Sequence, residues 1–349
     1  MAIGLINELA SMKRILISGA GAMGTIIGAL ISGRDSEVTL LDTFEQHVGA
    51  LNHHGAKVTG GLDATYPVKA ITPKELTGQY DLIISTVKQT ALPSALHQLL
   101  PFIHANSTVL TLQNGLPEGV ASDVVGADRV IGGGMEFSGT FIEPGVVKLA
   151  SPKQSLGVTI GEIDGSMSAR LKQVQSVLGP IGHCDLTSQL RETRFTKLTD
   201  NCVCSAIPTA LGCLLGEALD NPKVLNCITE LGRECSKVMQ ALGIKPVKLF
   251  GFHPSPENID YHDDEGKQQA CDYWFKTYQP YRDQTASMLQ DLRQDRPCEV
   301  DFINVAMLNE ANKLGIDMPM NKKVIVCIKA LEAQKRSLND AWSNLESIT

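Results

Sequence analysis

The chain has 349 residues, of which 43% are apolar and 20% charged, and its formal net charge is −7. This length and apolar content allow a large buried core and favour two domains. The acidic balance and the lack of any Lys/Arg cluster exclude a nucleic-acid partner, and no apolar run approaches membrane-spanning length. Residues 1–11 lack the charged start and cleavage site of a secretory signal, so we expect a cytoplasmic protein in which they form an N-terminal extension.

The first predicted unit is a strand, a glycine-rich turn and a helix. A strand-like run begins at Arg14 and leads directly into the turn Gly19-Ala20-Gly21-Ala22-Met23-Gly24, which an apolar, helix-compatible stretch follows. In such a unit the first glycine makes the tight turn, the second lets the backbone approach a pyrophosphate, and the third permits close packing of helix on strand. Since the pyrophosphate lies at the positive end of the helix, the turn predicts a dinucleotide site.

An acid follows the second predicted strand and indicates which dinucleotide binds. Residues 37–41 form a strand-like run that ends in Asp42, 18 residues after Gly24. A carboxylate at this place accepts hydrogen bonds from the hydroxyls of the adenosine ribose and repels a 2′-phosphate. No Arg or Lys lies between Asp42 and Leu51 to hold such a phosphate. We therefore predict that NADH is favoured over NADPH.

Further strand-like runs alternate with helical or turn segments, which is typical of a parallel sheet. They cover residues 81–87, 108–112 and 129–133. Two more runs, 145–149 and 156–161, have no full helix between them, and we expect them to complete the same sheet. Residues 168–178 are predicted to form the last helix of this domain.

Strand signals nearly vanish after about residue 191, and the remaining chain is predicted to be helical. Apolar residues recur at three- and four-residue spacing in residues 194–215, 221–242, 268–294 and 300–314. The fold class is therefore α/β, with a Rossmann-type dinucleotide-binding domain at 1–188 and an all-helical substrate and catalytic domain at 189–349. All nine cysteines lie at or beyond Cys184 without CxxC spacing, which favours free thiols, and we predict no metal site.

Polar residues whose side chains can bind a ligand or transfer a proton recur at the ends of predicted elements. Lys88 and Asn114 follow the third and fourth predicted strands, whose carboxyl ends face the ligand crevice of a parallel sheet. Lys197 and Asn201 are four residues apart and share a helix face. At such a place a lysine ammonium can stabilise negative charge on a bound oxygen and can supply a proton to it.

The order and spacing of these motifs resemble the ketopantoate reductase (2-dehydropantoate 2-reductase) family from Lys13 to about Ala333. The resemblance implies that Lys197 is the catalytic lysine and Glu299 the acid that holds the substrate hydroxyl and orients the lysine. By the same resemblance, Asn201, Ser205 and Ser287 bind substrate, and Lys88 and Asn114 lie near the nicotinamide and its ribose. A homodimer is also implied by resemblance alone.

The chain departs from the family pattern in three places. Ser205 stands where the family often has a second asparagine, and Asp42 replaces the basic residue with which many members hold the NADPH phosphate. Residues 249–282 form a longer segment than in compact members, rich in Phe, Tyr and Trp. This segment either walls the pocket for a bulkier substrate or packs its aromatic side chains on the helical core.

Three functions compete at this point. The leading prediction is reduction of 2-dehydropantoate to (R)-pantoate, with a small-molecule 2-oxo acid as the substrate. The alternative is a D-2-hydroxyacid dehydrogenase for branched or aromatic 2-oxo acids, which Asp42 favours. A dinucleotide sensor without turnover is disfavoured, since a sensor needs no proton donor such as Lys197.

Overall fold

The computed structural model describes residues 12–34, 36–249 and 251–349 of the chain, so the predicted extension at 1–11 lies outside the described residues. Contacts divide these residues into two units. The first comprises the described residues up to Gln113 together with Pro117–Leu190, and the second comprises Asn114–Leu116 and Arg191–Thr349. The predicted α/β fold with a helical second part is confirmed.

Twelve strands and five helices form the first unit. The strands are β1 (Arg14–Ser18), β2 (Glu37–Leu41), β3 (Ala56–Gly60), β4 (Ala64–Tyr66), β5 (Lys69–Ile71), β6 (Tyr80–Ser85), β7 (Ile103–Thr111), β8 (Val130–Met135), β9 (Gly139–Glu143), β10 (Val146–Leu149), β11 (Gly157–Glu162) and β12 (His183–Leu186). The helices are α1 (Ala22–Ile31), α2 (Glu45–His54), α3 (Leu92–Leu99), α4 (Pro117–Val125) and α5 (Ala169–Leu178).

Eight of the strands form one sheet in the order β12-β11-β8-β7-β6-β1-β2-β5. All neighbouring pairs are parallel except β8 and β11. Strand β1 has β2 on one side and β6 on the other, so the order in which successive strands are added to the sheet changes direction at β1. Side chains of β1 enter two different cores, with Ile15 and Ile17 on one face and Leu16 on the other. Both faces are covered, which explains the continuous apolar sequence of this strand.

A second sheet of four strands, in the order β4-β3-β10-β9, was not predicted. The expectation that residues 145–149 complete the main sheet is wrong, because β10 pairs with β3 and β9 instead. Residues 156–161 do join the main sheet, as β11. Helix α1 packs against β2 of the main sheet and against β3, β9 and β10 of the small one. It is therefore buried from Gly24 to Ile31, as its largely apolar sequence requires.

Helices build the second unit, and its described part contains only an isolated bridge between Leu249 and Phe252 in place of strands. They are α6 (Leu190–Asp200), a π-helical turn (Asn201–Ser205, the π turn), α7 (Ala206–Leu211), α8 (Leu215–Asp220), α9 (Pro222–Ala241), α10 (Pro256–Ile259), α11 (Asp264–Tyr278), α12 (Ser287–Leu292), α13 (Asn304–Lys313), α14 (Pro319–Glu332) and α15 (Leu345–Ile348). The side chain of Asn221 caps α9 by accepting from two backbone amides, and Pro222 follows at the first helical position.

The aromatic segment at residues 249–282 packs on the helical core. Phe252, Trp274 and Tyr278 are buried in the core of the second unit, while Phe250 lies outside the described residues. Gly232 of α9 makes room for Trp274, since a Cβ there would lie 2.4 Å from Trp274 Cζ2. Of the two interpretations of this segment, the contacts support packing on the core.

Two further expectations concern thiols and membranes. All nine cysteines are free. Within the described ranges, none of the helices combines the length and the apolar character needed to cross a bilayer.

Candidate cofactor turn and candidate catalytic helix

The three glycines of the first turn have different surroundings. Gly19 has φ of +96°, and a Cβ there would lie 2.8 Å from the Val87 backbone nitrogen. A Cβ on Gly24 would lie 1.9 Å from the Gly19 carbonyl oxygen, so α1 could not pack so closely on the turn. A Cβ on Gly21 would meet no atom within 4 Å. Packing therefore explains Gly19 and Gly24, whereas Gly21 faces open space that is free for a ligand to approach.

The carbonyls of this turn are bound by side chains of the first unit. Thr86 Oγ1 donates to the Gly19 carbonyl at 2.6 Å, and Thr25 Oγ1 donates to the Ala20 carbonyl at 2.7 Å. The N-cap Gly21 has no side chain to cap α1, and the first helical turn holds no acid. The positive end of α1, with Ala22 and Met23 at its start, therefore suits an anionic pyrophosphate.

His47 also holds the turn and was missed by the sequence analysis. Its Nε2 lies 2.8 Å from the Ala20 carbonyl oxygen, and its Nδ1 accepts from the Gly145 backbone amide at 3.0 Å. Because a carbonyl only accepts, Nε2 carries the proton. Because the Gly145 amide donates to Nδ1, that nitrogen carries none, and the ring is neutral. Burial lowers the pKa of His47, against smaller opposing effects of the Ala20 bond and the Asp42 charge. The one sequence signal is its place on the buried face of α2, with Val48 and Leu51.

Asp42 lies directly beyond β2 and is half-buried. Its Oδ1 accepts from the Phe44 backbone amide at 3.0 Å, which holds the carboxylate at the end of the strand. The preceding residue, Leu41, accepts from the backbone amides of Gly19 and Ala20 through its carbonyl. Asp42 is thus next to the turn, as a partner for a ribose hydroxyl pair requires.

The two residues expected near the nicotinamide follow neighbouring strands, β6 and β7, but belong to different units by their contacts. Lys88 is exposed just beyond β6 in the first unit, whereas Asn114 is half-buried and belongs to the second unit by its contacts. Gln113 Nε2 donates to Ser85 Oγ at 2.7 Å, which ties the carboxyl end of β7 to that of β6.

The predicted catalytic lysine and two predicted substrate residues lie along one continuous helix of the second unit. In an α-helix the four-residue step from Lys197 to Asn201 exceeds a full turn by about 40°. The π turn that begins at Asn201 has wider hydrogen-bonded rings, so the next four-residue step falls short of a turn. This brings Ser205 back toward the face of Lys197.

The π turn has local causes in the sequence. Pro208 lacks the amide that would bond to the Cys204 carbonyl, which favours a wider turn just before it. Thr209 Oγ1 donates to the Ser205 carbonyl at 2.6 Å, and Asn304 Nδ2 donates to the Cys202 carbonyl at 3.2 Å. Side chains therefore satisfy backbone carbonyls that a regular helix would pair internally.

A buried polar network supports Asn304. Its amide also donates to Asn321 Oδ1 at 2.8 Å, and the backbone amide of Asn321 donates to Glu234 Oε2 at 2.9 Å. Burial raises the pKa of Glu234, although two backbone amides bind its carboxyl group. The network spans α9, α13 and α14 and holds the π turn in place.

Two of the predicted substrate residues present unpaired polar atoms. Asn201 Nδ2 and Ser205 Oγ are buried and form no hydrogen bond with any residue that the structure describes. Leaving a buried polar atom unpaired costs about 1 to 3 kcal/mol, and a bound ligand that accepts from these two atoms would recover that cost.

Ser287 and Glu299 are the remaining predicted residues of the second unit. Ser287 begins α12, which packs against the π turn, although its own side chain is exposed. Glu299 is 5% exposed and is followed closely by Ile303, whose carbonyl accepts from Cys202 Sγ at 3.6 Å. Asn201 and Ser205 therefore lie in the π turn itself and Ser287 begins a helix that contacts it, whereas Glu299 is connected to it only through the nearby Ile303.

Asp200 is a second functional candidate that the sequence analysis missed. Its Oδ2 accepts from Lys197 Nζ at 2.7 Å, and its Oδ1 accepts from Tyr278 Oη at 2.5 Å. The opposite charges three residues apart on a helix were the available signal for the lysine contact. No sequence signal indicated the contact between Asp200 and Tyr278.

One group in the described chain has spacing suited to a metal, with ligand atoms of Glu136, His183 and Asp185 within 4.8 Å of one another. His183 Nε2 is 2.8 Å from Glu136 Oε2, so a hydrogen-bonded pair accounts for the contact. None of the predicted site residues belongs to this group, and we assign no metal to it.

Comparisons with known proteins agree with the two-part organisation. Two family models match: ketopantoate reductase PanE/ApbA over residues 15–165, and ketopantoate reductase PanE/ApbA C terminal over residues 189–332. The 2-dehydropantoate 2-reductase of Streptococcus pyogenes serotype M1 is 28% identical over 323 residues, which cover 91% of this chain and 98% of the relative. That of Pyrococcus abyssi is 28% identical over 331 residues, with coverages of 92% and 98%.

Solved structures share the fold. A ternary structure of D-mandelate dehydrogenase with NADH and anilino(oxo)acetate has a TM-score of 0.79 at 22% identity, covering 93% of this chain and 99% of that chain. A PanE/ApbA family ketopantoate reductase from Ralstonia eutropha JMP134 has a TM-score of 0.77 at 21% identity, with coverages of 93% and 100%. Since the family models span most of the sequence and the relatives match over nearly their whole length, the chain belongs to the ketopantoate reductase family of nicotinamide-dependent oxidoreductases.

Proposed function

We propose that the chain reduces 2-dehydropantoate to (R)-pantoate and uses NADH in preference to NADPH. The observation that carries the proposal is that the helix of Lys197 continues into a π turn whose first and last residues, Asn201 and Ser205, each present a buried, unpaired polar atom. The named relatives support the substrate. In this proposal residues 1–188 bind the dinucleotide, and residues 189–349 bind the 2-oxo acid.

The residues of the first unit fit a dinucleotide. Gly21 leaves open space at the start of α1, and the amides of Ala22 and Met23 lie at its positive end. Asp42 would accept from the adenosine ribose hydroxyls and would repel a 2′-phosphate. Lys88 and Asn114 are assigned to the nicotinamide side by the family pattern. When bound, the dinucleotide supplies the hydride that the carbonyl carbon accepts.

The second unit supplies the proton and holds the substrate. Lys197 donates a hydrogen bond to the ketone oxygen, stabilises the charge that develops there and transfers a proton to it. Asn201 and Ser205 donate to substrate oxygens from the same helix face. Glu299 accepts from the substrate hydroxyl, and Ser287 adds a further polar contact. The product alcohol thus carries its new C–H bond from hydride and its O–H proton from Lys197, which solvent reprotonates.

A second candidate is an NAD-dependent D-2-hydroxyacid dehydrogenase for branched or aromatic 2-oxo acids. Asp42 and the short Ser205 side chain favour it, because both depart from the family pattern that accompanies NADPH and ketopantoate. The D-mandelate dehydrogenase whose structure contains NADH shares the fold, and that likeness extends to the fold alone.

Steady-state kinetics separate these candidates. We would measure rates with NADH and NADPH against ketopantoate, 2-oxoisovalerate and phenylglyoxylate, for the native chain, Lys197→Ala and the exposed-lysine control Lys237→Ala. The proposal expects the highest kcat/KM with NADH and ketopantoate, and loss of turnover in Lys197→Ala only. A preference for phenylglyoxylate establishes the alternative. If none of the 2-oxo acids is turned over, the dinucleotide sensor is the function that remains.

We extend the proposal to a homodimer. One solved neighbour is described as a dimeric ketopantoate reductase from Staphylococcus aureus, with a TM-score of 0.72 at 18% identity. On α14, Val324, Cys327 and Ile328 are buried, whereas Val326 is 67% exposed and available to a partner. Sedimentation equilibrium should give twice the chain mass, and a monomer at micromolar concentration refutes this part.

A further inference from the structure

Lys197 is held by a neighbour on its own helix. The ammonium donates to Asp200 Oδ2 at 2.7 Å, and the two side chains are 26% and 16% exposed. A lysine side chain has four flexible carbons, and a proton donor must lie within a fraction of an ångström of its working position. The carboxylate limits the positions that the ammonium can take.

Asp200 is itself fixed from outside the helix. Tyr278, the last residue of α11, donates its Oη proton to Asp200 Oδ1 at 2.5 Å. Burial and the nearby Asp200 charge raise the pKa of Tyr278 well above its ordinary value, so the phenol keeps its proton. Each carboxylate oxygen therefore has a distinct donor, and the Asp200 side chain cannot rotate without losing one.

Packing on α9 fixes Tyr278 in turn. Its ring stacks on Trp274 with centroids 5.9 Å apart and planes 14° apart, and Phe252 lies 5.9 Å away. Trp274 is fully buried, and its indole packs closely against Gly232 of α9. A continuous set of contacts thus runs from α9 through Trp274, Tyr278 and Asp200 to Lys197.

We propose that Asp200 and Tyr278 are positioning residues for Lys197, and that the aromatic part of the 249–282 segment serves the reaction by fixing the proton donor. This inference rests on the proposed role of Lys197. It assigns the segment a function that does not require any of its aromatics to touch substrate. It also explains why an acid stands directly before Asn201 on a catalytic helix.

The test compares Asp200→Asn and Tyr278→Phe with Tyr273→Phe in the full chain. Tyr273 is the matched control, because it lies on the same helix but its Oη accepts from the His253 backbone amide instead of contacting Asp200. We expect kcat to fall about 10- to 100-fold in Asp200→Asn and about 5- to 10-fold in Tyr278→Phe. The dissociation constant for NADH should stay within about twofold, and Tyr273→Phe should keep the native kcat.

A double-mutant cycle distinguishes positioning from a general loss of structure. If both residues act through Lys197, adding Asp200→Asn or Tyr278→Phe to Lys197→Ala should lower the residual rate by less than about twofold. The solvent isotope effect on kcat should also rise in the two single variants, because proton transfer becomes harder. Native kcat in both single variants, or equal losses with and without Lys197, overturns the inference.

Different kinetic outcomes distinguish failure of the positioning role of Asp200 and Tyr278 from failure of the proposed function. Full activity in Lys197→Ala removes the proton donor from the mechanism and with it both proposals. An inactive Lys197→Ala beside fully active Asp200→Asn and Tyr278→Phe removes the positioning role alone. Should Asp200→Asn not fold, Tyr278→Phe still decides the matter, since it removes a single oxygen atom and retains the stacked ring.

Discussion

The Nε2–H of His47 donates to the Ala20 carbonyl 2.8 Å away, and this bond ties helix α2 to the glycine turn. The other ring nitrogen accepts from the Gly145 amide, next to β10 of the small sheet. A neutral imidazole suits both partners, whereas a protonated one would direct an N–H at the Gly145 N–H. His47 therefore links the proposed dinucleotide turn to its surroundings only in the neutral state.

We predict that His47→Leu destabilises the chain by about 1 to 3 kcal/mol at pH 7.5, because two buried hydrogen bonds are lost. Burial lowers the pKa of His47 in the folded state. In the unfolded chain the pKa of His47 is about 6.5, so the unfolded state takes up the proton first as the pH falls. The stabilisation is therefore complete above that pH and declines as the pH falls toward the pKa of His47 in the folded state. The difference in free energy of unfolding between the native chain and His47→Leu should therefore become smaller as the pH falls.

Urea unfolding between pH 5 and 7.5 checks this prediction, with NADH affinity measured in parallel. His54→Leu is the control, since His54 is exposed at the end of the same helix. A stability gap that is constant with pH would show that the ring's protonation state does not matter.

Gly21→Ala and Gly24→Ala should separate cofactor binding from folding. At Gly24 a Cβ would lie 1.9 Å from the Gly19 carbonyl oxygen, so we expect a loss of at least about 2 kcal/mol in unfolding free energy. At Gly21 no atom lies within 4 Å, so stability should change by less than about 0.5 kcal/mol. NADH affinity should nevertheless fall at least about tenfold in Gly21→Ala, because the methyl group would occupy the approach to the pyrophosphate.

Thermal unfolding and fluorescence titration with NADH measure the two effects. Gly119→Ala on α4, where a Cβ also meets nothing within 4 Å, should change neither. Native NADH affinity in Gly21→Ala would contradict the assignment of the turn.

These glycines show what local sequence could predict. A turn, its flanking strand and the acid after the next strand lie within 29 residues of one another, and their roles follow from backbone geometry in that short stretch. The helical second part followed from periodic apolar residues. Such features need no knowledge of distant partners.

Contacts between distant residues could not be predicted. His47 and Gly145 are 98 residues apart, Asp200 and Tyr278 are 78 apart, and Asn304 and Cys202 are 102 apart. The small sheet depends in the same way on the pairing of β3 with β10. The π turn was missed because the spacing of Lys197, Asn201 and Ser205 fits an α-helix equally well.

Asp42→Ala should weaken NADH binding by about 1 to 3 kcal/mol, because a ribose hydroxyl pair loses its acceptor. NADPH binding should weaken less or improve, since a repelling charge is removed. Glu45→Ala is the control, as its side chain is 74% exposed on the next helix. The ratio of the two dissociation constants, measured by titration, is the test. An unchanged ratio would remove Asp42 from the cofactor assignment.

Gly232→Ala should destabilise the second unit by about 1 to 3 kcal/mol through overpacking, since the new Cβ would lie 2.4 Å from Trp274 Cζ2. Trp274→Phe alone should also destabilise, by leaving a cavity beside α9. Combined, the two should cost less than their sum, because the smaller ring makes room for the methyl group. Strictly additive losses in denaturant unfolding would show that Trp274 does not press on α9 at this position.

Asn304→Ala should disturb the π turn and, through it, catalysis. The change leaves the Cys202 carbonyl without the Asn304 donor and breaks the link to Asn321, so we expect a loss of about 2 to 4 kcal/mol in stability. Asn201 and Ser205 would no longer share the face of Lys197, so KM for the 2-oxo acid should rise and kcat should fall. Asn312→Ala, exposed near the end of the same helix, is the control. Unchanged kinetics in an Asn304→Ala variant that remains folded at the assay temperature would mean that the substrate residues do not depend on the π turn. Loss of stability with unchanged kinetics would confine Asn304 to a structural role.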